Sequence, residues 1–283
     1  MNNPSSLAVP IARQGTFMFF KNTLIAQTQA FVTQKFYIGL LLPLIVLVIW
    51  HIVTANDWIG RAFLPKPLDV ITAFWYMLWK QDLLNDIWVS VVIVSQSFVY
   101  GSLIGILLGV LSGLSRRVEL FFGPTLNTLR HIPSVAWLPL IVLWLGLGAP
   151  AKLLILSKAV FFPVYLNTLQ GIRSIDKNYI ELAKVLTLTK RQLVRKVILP
   201  AILPSIAVSL RYSAGLAWAL VVIAEGLSGL DGLGFLIFRA QQLLITDQLI
   251  VSMVLIGMIG FAIDRGLYLA QQRLLRWKVD FDA

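Results

Sequence analysis

Six long apolar segments, separated by short polar loops, constrain the fold of this chain more than any other feature. They cover residues 36–56, 87–115, 121–151, 153–172, 201–224 and 248–269, and the third is interrupted after residue 129. A helix needs about 20 residues to cross the hydrocarbon core of a bilayer. Asp, Glu, Lys and Arg make up only 13% of the chain, whereas about a quarter of a soluble domain is charged. The sequence therefore predicts an all-α, polytopic membrane protein with six transmembrane helices.

Two of these segments carry features that predict how their helices pack. Gly101, Gly105, Gly109 and Gly113 recur at every fourth position of the second segment and therefore share one helix face. Small residues on one face allow another helix to approach closely. In the third segment, Pro133 predicts a helix end or a kink, because proline removes a backbone hydrogen bond from a helix interior.

Composition excludes several classes of protein. The net charge is +11, but the basic residues lie mostly between apolar stretches, where they face anionic lipid headgroups rather than nucleic acid. The chain has no cysteine and two histidines, which excludes a disulfide framework, a thiolate metal site and a histidine-rich metal site. The glycine-rich residues 226–234 lack the Lys-Ser or Lys-Thr pair of a nucleotide-binding loop and are predicted to form an external turn. No cofactor is expected on this chain.

The distribution of lysine and arginine among the loops predicts the orientation in the membrane. Residues 173–196 hold seven of these bases, whereas residues 225–247 hold one. The 173–196 loop and both termini are therefore expected to be cytoplasmic. The predicted organisation is a cytoplasmic N-terminal segment at 1–35, a transmembrane domain at 36–272 with its core near 85–270, and a cytoplasmic tail at 273–283.

The basic loop between the fourth and fifth segments is predicted to fold into two short amphipathic helices within residues 176–199. Asp176 is suited to cap the first helix, which carries an apolar stripe. Thr189 and Gln192 have the spacing of a capping box for the second helix, which is predicted to stop at Pro200. Two interpretations stay open on physical grounds. Either the helix pair docks into a groove of a partner protein, or the loop only lies on lipid headgroups.

A longer pattern in this region resembles the cytoplasmic EAA motif of ABC importer permeases. The residues that carry the resemblance are Glu181-Leu182-Ala183, Thr187, Val197-Ile198-Leu199-Pro200, Leu203-Pro204 and Leu210-Arg211. The resemblance extends from about Leu64 to Trp277 and is nearest to the permeases for aliphatic sulfonates, taurine, nitrate and bicarbonate. Further similar stretches are 63–65, 112–116, 132–133, 137–140, 144–146 and 224–225.

The resemblance implies that the helix pair at 176–199 sits in a cleft of an ATPase subunit. The implied ATPase-coupling residues are Glu181, Ala183, Thr187, Thr189 and Pro200. The implied assembly is a homodimer in the cytoplasmic (inner) membrane, with two ABC ATPase subunits that carry ATP and Mg²⁺ and an extracytoplasmic substrate-binding protein. The chain itself is then not an enzyme.

Two residues depart from the pattern of the family. Leu182 is larger than the alanine of the motif but keeps its apolar character, and Thr187 replaces the usual glycine. If the backbone at position 187 is left-handed, a threonine there costs about 1 to 2 kcal/mol relative to glycine.

Ionisable residues inside the apolar segments raise functional hypotheses because they are costly in lipid. The candidate residues of a substrate pathway are Arg130, His131, Arg211 and Glu225. The first three would supply a positive field for an anion, and Glu225 could instead pair with a base or meet an external partner. For the basic residues, and for Lys158, the alternative is that they snorkel to the membrane interface. Asp264 and Arg265 are predicted to form an interfacial ion pair.

The expected function is that of a permease subunit that moves a small anion by alternating access. An aliphatic sulfonate is the favoured cargo because residues 112–146 and 224–234 most resemble those permeases, and nitrate, bicarbonate and taurine are the alternatives. Outside the family, the alternative is a secondary transporter driven by an ion gradient. Such proteins usually carry internal repeats and acidic residues at the membrane midplane, and the sequence reveals neither.

Overall fold

The computed structural model describes residues 41–228 and 230–276, with only the backbone of Ser228, and this part of the chain is helical without a β-strand. The predicted all-α fold is confirmed. The predicted segment 1–35, the start of the first apolar segment and most of the predicted tail lie outside the described residues. The helices are α1 (Leu41–Ala55), α2 (Pro67–Lys80), α3 (Leu83–Leu114), α4 (Arg116–Leu129), α5 (Leu138–Leu145), α6 (Ala149–Arg173), α7 (Lys177–Val185), α8 (Lys190–Leu193), α9 (Leu199–Ser228), α10 (Leu233–Gln242) and α11 (Thr246–Leu274).

The chain divides into two compact units, one that ends at Pro67 and one that begins at Leu68. In the first unit, α1 is followed by a loop that folds back along it. The indole Nε1 of Trp50 donates a hydrogen bond to the Pro65 carbonyl at 2.9 Å. This bond satisfies the polar end of an otherwise apolar side chain and fixes the loop.

Four helices of the second unit are long and apolar enough to cross a membrane, namely α3, α6, α11 and the continuous helix Lys190–Leu227. A fifth crossing is possible where α4 and the segment Ser134–Leu145 form a pair bent by 89°. The described part of α1 falls among shorter apolar helices of 10–17 residues. The described residues therefore contain four or five candidate spans, and the count of six stays a prediction.

The break in the third apolar segment lies where Pro133 predicts it. Helix α4 ends at Leu129, Pro133 has extended backbone angles, and a 3₁₀ turn from Ser134 to Trp137 leads into α5. The predicted continuation to residue 151 is wrong, because α5 ends at Leu145. Gly146 and Gly148 have φ of +76° and +112°, angles that favour glycine and reverse the chain before α6.

The glycine stripe of α3 packs against α6, as its spacing predicts. A Cβ atom at Gly101 would lie 2.5 Å from the Ser157 carbonyl oxygen, and one at Gly109 would lie 2.7 Å from Thr168 Cβ. These distances are shorter than any tolerable contact, so only glycine permits this approach of the two backbones. The α3–α6 pair forms the centre of the main apolar core, together with α9.

The predicted stop of the second short helix at Pro200 is wrong. A π turn at Val194–Ile198 joins α8 to α9, and Lys190 to Leu227 form one helix of 38 residues. Within the turn, the Leu199 N–H donates to the Val194 carbonyl, five residues back. The wider turn gives the Pro200 ring more room than an ordinary α-helical turn does.

The predicted external turn at 226–234 is shorter than expected. Helix α9 continues to Ser228 and α10 begins at Leu233. Helix α10 was not expected from the sequence, because its ten residues are too few to resemble a membrane span. It packs against α9 and α11.

Candidate functional site

The predicted coupling segment, residues 176–199 and called the coupling segment below, begins with the helix that Asp176 was predicted to cap. The Asp176 side chain accepts a hydrogen bond from the Asn178 backbone N–H at 2.9 Å. Glu181 lies on the exposed side of α7, whereas Ala183 is buried. The first helix of the predicted pair is therefore present, with its cap.

Helix α7 ends in a Schellman motif centred on Thr187. The Thr187 N–H donates to the Lys184 carbonyl at 2.9 Å, and the Leu188 N–H donates to the Ala183 carbonyl at 3.0 Å. These bonds satisfy two of the carbonyls that a helix end leaves unpaired, and they require a left-handed residue between the helix and Leu188. Thr187 has φ of +50°. The position that is usually glycine in the family is therefore left-handed here, and the threonine is strained.

The capping box of α8 forms as predicted. The Thr189 side chain accepts from the Gln192 N–H at 3.3 Å, and the Gln192 side chain accepts from the Thr189 N–H at 2.9 Å. Beyond it, Leu193 and Val194 pack against a cluster formed by Ile198 and its neighbours on α9, which also contacts the end of α6. The segment is thus attached to the membrane helices by apolar packing as well as by the chain.

The outward face of α7 is apolar. Tyr179, Leu182, Val185 and Leu186 are between 55% and 78% exposed. Three large apolar side chains on this nine-residue helix and a fourth at its C-cap, Leu186, lie in a loop rich in lysine and arginine. They form the kind of exposed patch that marks a protein–protein contact.

A charged cluster lies beside the coupling segment at the ends of α4 and α6. Glu119 accepts from the Arg116 guanidinium at 3.0 Å and also binds Arg173. These bonds tie the start of α4 to the last turn of α6, immediately before the segment begins.

A cavity of about 420 Å³ lies at the break between α4 and α5. Arg130 and Lys158 line it, and so does the apolar side of α9. The Lys158 ammonium donates to the Ile132 carbonyl at 3.1 Å and lies over the Trp137 and Phe162 rings, 5.6 and 5.2 Å from their centroids. Lys158 is therefore held at the break by a backbone carbonyl and two aromatic rings.

His131 is exposed and does not line this cavity. It sits in the turn after α4, where its backbone N–H donates to the Thr128 carbonyl at 3.2 Å. The structure brings its neighbour Arg130 to the cavity and leaves the imidazole outside it.

Arg211 is paired rather than free. Its Nε and one terminal nitrogen donate to the two Asp264 carboxylate oxygens at 2.6 and 2.7 Å. The predicted ion pair of Asp264 with Arg265 is therefore wrong, because Arg265 instead lies over the Tyr268 ring. Arg211 and Asp264 line a second open cavity, together with Leu216, which also lines the first.

Glu225 is fully buried and holds the start of α10. Its carboxylate accepts from the Ser90 hydroxyl at 2.8 Å and from the Gly234 N–H at 2.9 Å. A Cβ at Gly232 would lie 2.4 Å from the Glu225 carboxyl carbon, so glycine is required there. Glu225 therefore lies in a buried hydrogen-bond network. Of the four candidate pathway residues, only Arg130 lines the cavity that contains Lys158.

The Glu225 network includes residues that sequence reasoning missed. Asp86 and Ser90 accept from the next backbone N–H groups of the same turn, those of Gly232 and Leu233, at 2.8 and 2.9 Å. Lys152, only 2% exposed, forms an ion pair with Asp231 at 2.7 Å. The four-residue spacing of Asp86 and Ser90 on one helix face was the available signal.

Comparisons with known proteins identify the family of this chain. Residues 101–277 match the family of binding-protein-dependent transport system inner membrane components. The putative aliphatic sulfonates transport permease protein SsuC of Bacillus subtilis is 33% identical over 244 residues, which cover 86% of this chain and 88% of that protein. The taurine transport system permease protein TauC of Escherichia coli is 32% identical over 82% of this chain and 86% of that one. The bicarbonate transport system permease protein CmpB of Synechococcus elongatus is 32% identical over 84% and 90%.

Solved structures share the fold. An inward-facing conformation of the MetNI methionine ABC transporter matches with a TM-score of 0.56 and 21% identity, over 68% of this chain and 97% of that chain. An amino acid ABC transporter matches with a TM-score of 0.58 and 18% identity, over 71% and 98%. The chain therefore belongs to the binding-protein-dependent transport system inner membrane components, as a permease subunit of the sulfonate, taurine and bicarbonate group of ABC importers, which is not itself an enzyme.

Proposed function

We propose that this permease moves a small organic anion into the cell, with an aliphatic sulfonate as the first candidate, and that the coupling segment receives the movement of an ATPase. Nitrate, bicarbonate and taurine are the alternatives within the family. The working assembly is a homodimer of this chain with two ABC ATPase subunits and a substrate-binding protein. ATP and Mg²⁺ bind to the ATPase subunits.

One observation carries the coupling proposal. The exposed apolar face of α7, formed by Tyr179, Leu182, Val185 and Leu186, lies next to α8, and α8 is continuous with the membrane helix α9. An apolar helix face of this kind fits a groove in a partner protein. A force applied to α8 acts directly on α9, because no flexible linker separates them. The alternative, a loop that only lies on lipid headgroups, gives no reason for the continuity.

The mechanism that follows is alternating access. Closure of the two ATPase subunits around ATP displaces the coupling segments and, with them, α9 of each protomer. The cavity beside Arg130 and Lys158 then opens to the outside, where the binding protein releases its anion. Hydrolysis returns the helices to the inward-open arrangement. This orientation requires the coupling segment and both termini to be cytoplasmic, as the distribution of basic residues supports.

Two observations support an organic anion as the cargo. SsuC and TauC, whose printed names concern aliphatic sulfonates and taurine, are 32–34% identical to this chain. The cavity at the α4–α5 break is lined by two cations. Arg130 is the proposed pathway residue with the most direct support, and His131, Arg211 and Glu225 have less.

Substitution Glu181→Lys tests the coupling proposal. It reverses the charge on the exposed face of α7 and leaves the buried side of the segment unchanged. We expect the variant to insert and dimerise normally, to bind its ATPase subunits weakly and to lose most ATP-driven uptake. Arg239→Gln, an exposed charge change on α10, is the matched control. Full uptake and normal ATPase binding by Glu181→Lys would overturn the assignment.

Calorimetry tests the cargo. The substrate-binding protein that functions with this permease is titrated with alkanesulfonates, taurine, nitrate and bicarbonate, and we expect the tightest binding for an alkanesulfonate. Uptake by the reconstituted complex is then measured with and without ATP under an imposed ion gradient. Uptake that continues on the gradient alone would favour a secondary transporter instead.

A further inference from the structure

We propose that the cavity at the α4–α5 break is a head-and-tail site, in which Arg130 and Lys158 bind the anionic group of the cargo and α9 binds its aliphatic chain. This inference rests on the proposed function and narrows it, because it selects an anion with an apolar chain over nitrate and bicarbonate. The volume of about 420 Å³ is within the usual range of small-molecule sites.

The charge in this cavity is not compensated. Arg130 comes from the end of α4 and Lys158 from α6, and no aspartate or glutamate is among the residues that line the cavity. Two other cations of the described membrane helices differ in this respect, since Lys152 is paired with Asp231 and Arg211 with Asp264. A cavity wall with two cations and no carboxylate favours an anion, because both charges attract it and no acidic side chain in the lining competes for them.

The Lys158 ammonium is oriented before any ligand arrives. Its hydrogen bond to the Ile132 carbonyl uses one of its three donors, and the Trp137 and Phe162 rings hold it from the sides. Its two remaining N–H donors can donate hydrogen bonds to an oxyanion. A side chain that is already fixed loses less conformational entropy on binding, and a sulfonate offers three oxygens to a lysine and an arginine together.

The part of the cavity wall that α9 provides is apolar. It is formed by Leu216, Ala219, Leu220 and Ile223 of α9. Each CH₂ group that leaves water for such a wall strengthens binding about fourfold. Nitrate and bicarbonate have no chain to place there. Because this wall belongs to α9, which is continuous with the coupling segment, movement of the segment moves the surface that holds the chain.

The experiment uses the complete transporter, with its ATPase subunits and binding protein, in proteoliposomes. Uptake of ethanesulfonate, butanesulfonate and hexanesulfonate is measured for wild type, Lys158→Gln, Lys158→Arg and Leu220→Trp. We expect Lys158→Gln to lower uptake of all three by about 10- to 100-fold, since a hydrogen bond to a charged group is lost, and Lys158→Arg to retain most of it. Leu220→Trp narrows the apolar side and should reduce hexanesulfonate uptake at least about fivefold more than ethanesulfonate uptake.

Controls separate this inference from general damage. Arg239→Gln removes an exposed cation that does not line the cavity and should leave uptake unchanged. ATPase activity stimulated by the binding protein reports whether each variant is assembled and coupled. If Lys158→Gln does not assemble, two other measurements still test the site. They are the uptake that Lys158→Arg retains and the ratio of hexanesulfonate to ethanesulfonate uptake by Leu220→Trp.

The outcomes are distinguishable. If wild type imports sulfonates but Lys158→Gln and Leu220→Trp retain wild-type rates and chain-length preference, the head-and-tail site is wrong and the proposed function stands. If wild type imports none of the three, both fail. A phospholipid also has an anionic head and an apolar chain. Native mass spectrometry that finds phospholipid on wild type and not on Lys158→Gln, with uptake unchanged, would identify a lipid site and overturn the cargo site.

Discussion

Ser90 on α3 and Glu225 on α9 are joined by a buried hydrogen bond, with the Ser90 Oγ 2.8 Å from each carboxylate oxygen. Both side chains are completely buried. Together they receive the Leu233 and Gly234 N–H groups, which belong to the first turn of α10 and have no partner within that helix. The bond therefore joins α3, α9 and α10 at one point. Ser90 and Glu225 provide acceptors for backbone N–H groups in the first turn of α10.

Glu225→Ala should destabilise the protein. It leaves the Gly234 N–H and the Ser90 hydroxyl buried without their acceptor, which costs about 2 to 4 kcal/mol in total. We expect a lower apparent Tm for the variant in detergent. Thermal unfolding is measured by tryptophan fluorescence. Glu181→Ala, which removes an exposed carboxylate, should change the stability by less than about 0.5 kcal/mol. An equal Tm for the two variants would mean that the buried network does not hold α10.

Gly109→Ala should separate α3 from α6. The added methyl group would lie 2.7 Å from Thr168 Cβ and 2.9 Å from the Tyr165 carbonyl, and such overpacking costs about 1 to 3 kcal/mol. At Gly257 in α11 an added Cβ has no neighbour within 4 Å, so Gly257→Ala should be neutral or stabilising because alanine favours the helix. The two variants are compared by thermal unfolding. A Gly109→Ala protein as stable as wild type would contradict the close α3–α6 contact.

Thr187→Gly should stabilise the coupling segment. Glycine adopts the φ of +50° at this position without the steric cost that a β-branched residue bears, and the net gain is about 0.5 to 1 kcal/mol after its greater loss of chain entropy. Hydrogen exchange of the backbone amides at 182–188 should slow. Thr189→Ala, which removes the cap of α8, should have the opposite effect on residues 190–193 and cost about 1 kcal/mol. Faster exchange in Thr187→Gly would show that the threonine side chain contributes a contact that outweighs the strain.

The Arg211–Asp264 ion pair should couple α9 to α11 during transport. Either Arg211→Asp or Asp264→Arg alone places two like charges side by side, and we expect reduced ATP-driven uptake for both. The reversed pair, Arg211→Asp with Asp264→Arg, restores the attraction and should recover part of the uptake lost in each single reversal. Uptake is measured in proteoliposomes at matched protein content. No recovery in the reversed pair would indicate that the two residues act separately.

Much of the local structure could be predicted from the sequence. The cap at Asp176 and the capping box at Thr189 and Gln192 form as predicted, because each depends on residues at most three positions apart. The glycine spacing on α3 also predicts a close helix contact correctly. The end of the second short helix could not be predicted in this way, since a π turn precedes Pro200 and two of its residues, Val194 and Ile198, pack in a cluster with residues of α3 and α6.

The partners of the charged residues could not be predicted from their neighbours in the sequence. Asp264 was expected to pair with its neighbour Arg265, but it binds Arg211, which is 53 positions away. Glu225 meets Ser90 across 135 positions, and Lys158 meets the carbonyl of Ile132 across 26. Nothing in the spacing of these residues indicates which helix faces meet.

The sequence by itself determined that this chain is a bundle of apolar helices with a capped basic segment between two of them, because hydrophobicity and helix caps act within a few residues. Only the tertiary structure decided which ionisable groups are paired and which line a cavity. A charge inside a protein is placed by the helices that pack around it, and those helices are distant in the chain.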